Sequence, residues 1–592
     1  FDYEETDAAA GKTTRKGPVY LGLVDFTASK LERVLDRDAG EGDMDTSGRL
    51  AFYLKGRVRG DALLTVMADT GEGEIEHLFD DFMGRSAKDM LRRIDPDRYY
   101  PVFGDGSSMH EDAPTSGKLY VRLEKNDTRA IWGNARLTLD DSPFIRANKV
   151  IYGAKFSHQS HEDDRWALGS AKTSFGDARM EASSFYTDSE ALHGVDRLQG
   201  THGSTYYLSN ADVLPGSEVV QVQVRHALTG EILSQQPLVY GEDYHIDYIL
   251  GRIVLAQPLP STTSEDNLFG TVGMINKPVI LEVSYSYANT GALKGRANYG
   301  GEASYWLTDR VQARVSGLHE DRTDSALDLI SGGLTARLAA NSTISLDVAQ
   351  SHSKGTSISI SQDGGFNWAQ SASAAEDETL ANAVHVALDM ALADYIPGLD
   401  PDNQDARLSA YYDFFEDGFR DTARSITSER QQAGLQANLP INEQLTAIFR
   451  GEWVDDTNNA NDRLLAQGGL EYDLNQAMRA SLGLQYEETA NQERATLVGR
   501  VDLALSEGTS IYGFAGAGLD DDYDQNNHIG LGFDWRVSDT LTAHAEAALY
   551  DGEHWRAEFG LTNHVGPNEQ SYLTWGLDEH AGTTSQGHDS LL

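Results

Sequence analysis

The chain has 592 residues, with 48 Lys and Arg against 92 Asp and Glu, and a formal net charge of −44. This charge excludes nucleic acid as a partner, because phosphates would be repelled. No run of about 18 apolar residues is present, which excludes membrane-spanning helices. The absence of cysteine excludes disulfide scaffolds, thiolate metal sites and a cysteine nucleophile. The 57 Gly and 26 Tyr are instead typical of an outer-membrane β-barrel, whose transmembrane signal is alternation rather than a hydrophobic run.

The N-terminal third is predicted to combine a linker, strands and short helices. The first residue is Phe1 rather than Met, so we expect an export signal to have been lost upstream. Residues 1–16 are polar and are interpreted as a linker, and residues 17–200 as the first barrel strands. Within them, the helical spacing of apolar residues near residue 80 predicts a helical segment over residues 74–116. Such helices must cap the barrel or plug its lumen, since lipid-facing backbone has to be hydrogen-bonded internally.

Residues 201–276 interrupt the barrel pattern. Their short β runs are separated by turns rich in Gly and Pro, and Pro215, Pro237, Pro258 and Pro260 are four of only 14 prolines. Proline removes a donor from a β ladder, so continuous barrel strands are excluded here. We predict a compact all-β insert that serves as a plug or as a periplasmic module.

Residues 277–577 read as barrel hairpin repeats, followed by a polar tail at 578–592. Short polar turns begin at 308, 341, 442, 475, 506 and 538, in steps of 33, 101, 33, 31 and 32 residues. A unit of about 33 residues holds two strands of about ten residues, a tight turn and a longer loop. The longer connections, such as 455–462 and 520–527, are rich in Asp and Asn and are predicted to be extracellular.

These patterns predict an all-β fold, namely a large transmembrane antiparallel β-barrel of roughly 22–26 strands with a small β insert and short helices as plug or cap. A soluble β-sandwich or β-solenoid is the alternative. Sandwich strands are typically about 5–6 residues long, which is shorter than the alternating segments found here.

Alternation also assigns faces to the barrel residues. Between 541 and 549, the odd positions are Leu or Ala, whereas three of the four even positions are polar. Successive side chains of a strand point to opposite faces, and charge on the lipid side is costly. The predicted lipid-facing residues are Phe533, Trp535, Ala543, Ala545, Leu549, Phe559 and Leu561. The predicted lumen-facing residues are Arg450, Glu452, Arg479, Arg500, Asp502, Asp534, Arg536, Glu546, Arg556 and Glu558.

Candidate chemistry is sparse. Carboxylates at Asp520, Asp521, Asp522 and Asp524 could hold Ca²⁺, but the spacing is not that of an EF-hand loop and a solvated acidic loop is the favoured interpretation. No cofactor is otherwise expected. No nucleophile-elbow, HExxH or phosphate-loop motif is present, and we expect no enzyme.

Two stretches resemble the barrel region of long Gram-negative outer-membrane surface proteins, which often carry Ig-like repeats upstream. The first comprises residues 99–105 and 111–124 with the WGN at 132–134, and the second runs from the GSE at 216–218 to the GRI at 251–253. The likeness covers roughly residues 95–290, and is looser to pieces of the barrel translocon of type 9 secretion. It implies a barrel in the outer membrane of a Gram-negative bacterium. Such barrels usually end on an aromatic residue, whereas here a polar tail follows the last strand.

Two functions remain open. The chain is predicted to be a plugged or gated conduit for export or uptake of a large solute or polypeptide. The alternative is a barrel anchor or scaffold that holds a surface structure or partner protein without transport. The expected partners are outer-membrane lipid, lipopolysaccharide, and periplasmic or surface proteins.

Overall fold

The computed structural model describes the chain with gaps. The residues it does not describe are 1–2, 8–11, 17–18, 31–43, 59–61, 71–72, 75–76, 78, 80–117, 162–169, 190–191, 202, 226–231, 264–276, 288–295, 322–325, 355–357, 371–377, 398, 400–405, 423, 458–461, 490–491, 520–526, 551–553, 567–568 and 579–592. In the remainder the fold is all-β, as predicted. Within the described residues, no helix is long and apolar enough to cross a membrane.

The first eleven strands are β1 (Tyr3–Asp7), β2 (Lys12–Lys16), β3 (Val19–Lys30), β4 (Met44–Val58), β5 (Ala62–Asp69), β6 (Gly73–Glu74), β7 (Leu119–Lys125), β8 (Thr128–Leu139), β9 (Ala147–Gln159), β10 (Met180–Ser189) and β11 (Leu192–Gln199). The next seven are β12 (Thr205–Tyr207), β13 (Val219–Arg225), β14 (Ile232–Pro237), β15 (Tyr244–Asp247), β16 (Arg252–Leu255), β17 (Thr262–Thr263) and β18 (Lys277–Tyr287).

Strands of 9–15 residues dominate the rest of the chain. They are β19 (Arg296–Trp306), β20 (Val311–Asp321), β21 (Ala326–Ala339), β22 (Ser342–Lys354), β25 (Thr379–Ala391), β26 (Arg407–Phe415), β27 (Arg430–Pro440), β28 (Leu445–Asp456), β29 (Arg463–Asn475), β30 (Met478–Thr489), β31 (Gln492–Ser506), β32 (Thr509–Gly518), β33 (His528–Arg536), β34 (Leu541–Tyr550), β35 (His554–Gly566) and β36 (Glu569–Asp578). Two short strands, β23 (Ile358–Ser361) and β24 (Ala369–Gln370), lie between β22 and β25, and a 3₁₀ turn spans Leu392–Asp394.

The chain forms two compact units. The first comprises residues 1–194, 212–219 and 284–330. Its long strands pair antiparallel in the order β3, β4, β5, β7, β8, β9, β10, β19, β20. The step from β10 to β19 skips about a hundred residues, yet Ser189 pairs directly with Arg296. The intervening chain therefore leaves and returns at one point of the sheet.

The second unit comprises residues 195–211, 220–283 and 331–592. Its long strands form an antiparallel meander in which β22 pairs with β25, and each strand from β25 to β36 pairs with the next in sequence. The turns predicted at 442, 475, 506 and 538 connect consecutive strands, because polar and glycine residues tolerate the tight reversal. The longer connections lie at the other end of the strands.

Two smaller sheets occupy the region predicted as the insert. One has the strand order β14-β13-β18-β11-β23-β24, with β17 pairing to β18. The other has the order β12-β16-β15. Apolar side chains such as Leu198, Tyr206, Ile253 and Leu281 are fully buried here and form the core of the insert.

The structure draws the boundaries of this insert differently from the prediction over residues 201–276. The barrel repeats were expected to begin at residue 277, but β18 (Lys277–Tyr287) lies at the centre of the smaller sheet. The long strands resume only with β19. Strand β11 also belongs to the insert. The alternation of apolar and polar residues could not distinguish a barrel strand from an insert strand, because a strand buried on one face alternates in either sheet. The linker predicted at 1–16 contains the paired strands β1 and β2. The helical segment predicted over 74–116 lies mostly outside the described residues.

Candidate functional site

The insert sheet carries a polar cluster on one face. In β13 the Val side chains alternate with Gln221, Gln223 and Arg225, so the polar residues share one side of the strand. Glu282 of β18 and Arg197 of β11 lie on that same side. This sheet therefore has two different faces. One is apolar and forms a core, and the other consists of charged and amide side chains.

Glu282 is the centre of the polar cluster. Its Oε2 accepts hydrogen bonds from Arg197 Nε at 2.8 Å and Arg225 Nη2 at 3.0 Å. Its Oε1 accepts from Gln221 Nε2 at 2.8 Å and Gln223 Nε2 at 2.9 Å. The carboxylate therefore has four side-chain donors from two neighbouring strands. Charge-assisted bonds of this kind are roughly twice as strong as neutral ones.

Burial and pairing oppose each other in this cluster. Burial disfavours the ionised form of Glu282, but the neighbouring Arg197 and Arg225 outweigh it and lower the pKa of Glu282. Burial, with repulsion from Arg197, lowers the pKa of Arg225 to about 9, although Glu282 opposes the shift. Both buried arginines thus donate to one carboxylate, so the balance of charge in the cluster depends on Glu282 remaining ionised.

The connection between β26 and β27 adds charges to the same electrostatic environment. Arg424 Nε donates to Asp421 Oδ2 at 2.9 Å, and the Arg424 guanidinium lies 4.8 Å from the centre of the Phe415 ring. Both charged side chains contribute to the pKa of Arg225. Phe419, in the same connection, is fully buried. This connection is a packed structure rather than a solvated loop.

The long strands of the second unit carry polar side chains on one face. Arg450 pairs with Glu452, and Arg500 pairs with Asp502 at 2.7 Å. Tyr512 donates from its hydroxyl to Glu546 at 2.6 Å, and the Arg500 guanidinium lies 4.2 Å from the Tyr512 ring centre. Neighbouring strands therefore share one network. Of the other predicted lumen residues, Arg479 pairs with Asp473 at 2.7 Å and Asp534 pairs with His544 at 2.7 Å. The backbone N–H of Arg536 donates to the carbonyl of Gly508 at 2.8 Å. The side chains of Arg556 and Glu558 are outside the described set.

The opposite face of the same strands exposes large apolar side chains. Leu482 is 59% exposed and Leu531 is 66% exposed, whereas Gln485 is 3% exposed and Thr496 is 1% exposed. Trp535, Leu549 and Phe559, which were predicted to face lipid, are also exposed; Phe533, Ala543, Ala545 and Leu561 are half-buried. That this face contacts lipid stays a prediction.

The first unit contains a group of three carboxylates, here called the acidic trio, that the sequence analysis did not identify. Carboxylate oxygens of Asp140, Asp141 and Glu302 lie within 4.8 Å of one another, and the backbone N–H of Asp141 donates to Glu302 at 3.2 Å. Burial and the neighbouring Asp140 raise the pKa of Asp141. About 160 residues separate the partners in the sequence, so no local motif could reveal the trio. The Ca²⁺ candidates Asp520, Asp521, Asp522 and Asp524 fall in the undescribed stretch 520–526.

Comparison with known proteins gives structural neighbours only. No family model matches the chain, and no curated protein matches it. The chain is similar to the P pilus usher PapC translocation pore, with 9% identity and a TM-score of 0.35 over 94% of this chain and 96% of the pore. It is similar to a ferric enterobactin receptor of Pseudomonas aeruginosa, with 9% identity and a TM-score of 0.28 over 95% of this chain and 76% of the receptor. For the siderophore receptor PirA of Acinetobacter baumannii the identity is 8% and the TM-score 0.25, over 96% and 77%. Similarity at this level assigns neither a family nor a function.

Proposed function

We propose that this chain is an outer-membrane β-barrel conduit whose passage is obstructed by the β insert. The observation that carries the proposal is the inverted solvation of the long strands. Large apolar side chains are exposed while polar side chains of the same strands are buried. Water would penalise such an exposed apolar surface, whereas a bilayer provides it with an apolar solvent.

Strand length supports the membrane setting. Strands β28, β29 and β30 contain 12, 13 and 12 residues, and a tilted transmembrane strand needs about 9–11 residues to cross the hydrocarbon core. The short turns would then face the periplasm and the long connections the cell exterior.

We propose that the insert acts from the side of the long connections. It leaves β10 at Ser189 and returns to β19 at Arg296, at the end of these strands opposite the short turn at 307–310. We therefore place its obstruction on the extracellular side of the lumen rather than at the periplasmic mouth.

Deletion of the insert tests the conduit. Because Ser189 and Arg296 are paired neighbours, residues 190–295 can be replaced by a Gly/Ser turn of about four residues without moving either strand. We call the long strands β3–β5, β7–β10, β19–β22 and β25–β36 the wall. Heat-modifiable gel mobility would show that the wall still assembles. We expect higher single-channel conductance in planar bilayers than for the parent. A deletion variant that assembles and conducts like the parent would refute the plugged conduit.

A scaffold without transport is the second candidate. It is favoured by the ion-paired polar face of the long strands. Arg500 pairs with Asp502 within β31 and contacts the Tyr512 ring of β32, and the Tyr512 hydroxyl donates to Glu546 of β34. Cross-linked charges of this kind fill space and stiffen a wall. Parent-level conductance after deletion, together with loss of a surface partner, would favour this function.

A further inference from the structure

A hairpin outside the insert completes the insert sheet. Strands β23 and β24 belong to the connection between the paired long strands β22 and β25. β23 adds in parallel to β11, with Val195 opposite Ile358 and Leu198 opposite Ser361. Without this hairpin, β11 would be an edge strand with unpaired backbone groups. We name residues 358–370 the clasp.

The turn of the clasp docks on a second part of the insert. The backbone N–H of Tyr207 donates to the carbonyl of Gly364 at 2.9 Å. The Tyr207 and Phe366 rings pack with centres 5.3 Å apart. Gly365 lies so close that a Cβ atom would sit 1.9 Å from the Tyr207 carbonyl oxygen. This close approach requires glycine.

The clasp turn is internally rigid. Oδ1 of Asp363 accepts from the backbone N–H groups of Phe366 at 3.1 Å and Asn367 at 2.9 Å, and from Ser361 Oγ at 2.8 Å. Hydrogen bonds from Asn367, first from its backbone and then from its side chain, lower the pKa of Asp363 to about 2. The turn therefore presents a preformed surface to Tyr207.

We propose that the clasp is an autoinhibitory contact, which holds the insert against the wall and must separate from β11 before the insert can leave the passage. This inference rests on the proposed conduit. The clasp begins close after β22 and ends close before β25, whose ends pair at Ser353 and Thr379. The ladder therefore ties the insert to these two strands of the second unit. Among the described residues, four pairs form the parallel ladder, and parallel pairing is slightly weaker per residue than antiparallel pairing. The contact is specific and short, as a releasable closure requires.

Two glycine variants test the docking. Gly364→Ala and Gly365→Ala both place a side chain at positive φ, at +79° and +100° respectively. A Cβ atom at residue 364 would lie 3.6 Å from its nearest neighbour, which is an ordinary contact. Only Gly365→Ala therefore clashes with Tyr207. We expect Gly365→Ala to accelerate proteolysis within 190–287 of the membrane-embedded protein by about 5- to 150-fold and to increase channel opening, with Gly364→Ala closer to the parent. Cleavage of Gly365→Ala at the parent rate, or of both variants equally fast, would overturn the clasp.

A disulfide tests whether separation is required. The chain contains no cysteine, so Val195→Cys with Ile358→Cys introduces a unique pair on adjacent strands, which lie about 4.8 Å apart and within reach of a disulfide. Oxidation should abolish channel openings, and dithiothreitol should restore them. Openings that persist at full oxidation would overturn the proposal. Proteolysis of the glycine variants shows whether the clasp holds the insert, even if deletion of residues 190–295 shows that the chain is not a conduit.

Discussion

Replacing Glu282 with Gln should destabilise the insert while leaving the wall intact. The substitution keeps the shape of the side chain but removes its charge. Arg197 and Arg225 then lose the carboxylate to which both donate, and of the charges that act on Arg225 the negative charge of Asp421 remains. The new amide N–H₂ also faces the amide donors of Gln221 and Gln223. The variant therefore breaks a buried ion pair from one side only, which is the costly way to break it.

The expected cost follows from this geometry. Removing one partner of a buried pair costs about 3–5 kcal/mol. The Glu282 side chain is 14% exposed and those of Arg197 and Arg225 are 11% and 8% exposed, so little solvent screening reduces the figure. As each 1.4 kcal/mol is a factor of ten, local opening of the insert should become about 140- to 3,700-fold more frequent.

Hydrogen–deuterium exchange of the assembled protein measures this opening. Peptides from β13 and β18 should exchange faster by that factor, while peptides from β30 to β34 should not change. Asp247→Asn in the same insert is the matched control. Its Arg252 partner is 3.7 Å away and both side chains are over a third exposed, so loss of the charge should cost at most about 1 kcal/mol. Exchange of β13 within tenfold of the parent would refute the account of Glu282.

Three further outcomes follow. Because the pKa of Glu282 lies below its usual 4.5, the stability that it gives the insert is complete above pH 4.5 and is lost as the pH falls through the lowered value; proteolysis of the insert should rise on acidification in the parent and respond much less in Glu282→Gln. Ala545→Arg should impair membrane assembly, at about 2–4 kcal/mol if the site is near the bilayer midplane, while Glu546→Arg is better tolerated, and equal assembly of both variants would show that the faces are assigned the wrong way round. An epitope inserted at Asn526 should be labelled on intact cells, and labelling only after permeabilisation would reverse the orientation.

The sequence determined the strands of the second unit and the two faces of each strand. Leu482 and Leu531 lie on the exposed face and Gln485 on the buried one, as alternation requires. Side-chain direction in a strand depends only on residue parity, so a local pattern carries this information. Tight turns are equally local, and those at 475 and 506 connect the predicted strands.

Tertiary structure alone decided which sheet each strand joins. β18 alternates like a barrel strand, yet it lies beside β11 and β13 in the insert, where Glu282 meets Arg197 and Arg225. The clasp reaches β11 from about 160 residues away in the sequence, and the acidic trio at Glu302 spans a similar distance. Strand alternation is the same whichever partner supplies the hydrogen bonds, so pairing between distant segments leaves no trace in the local pattern. The pairing of distant segments instead depends on which arrangement gives buried charges their ion-pair partners and backbone groups their hydrogen bonds at the same time.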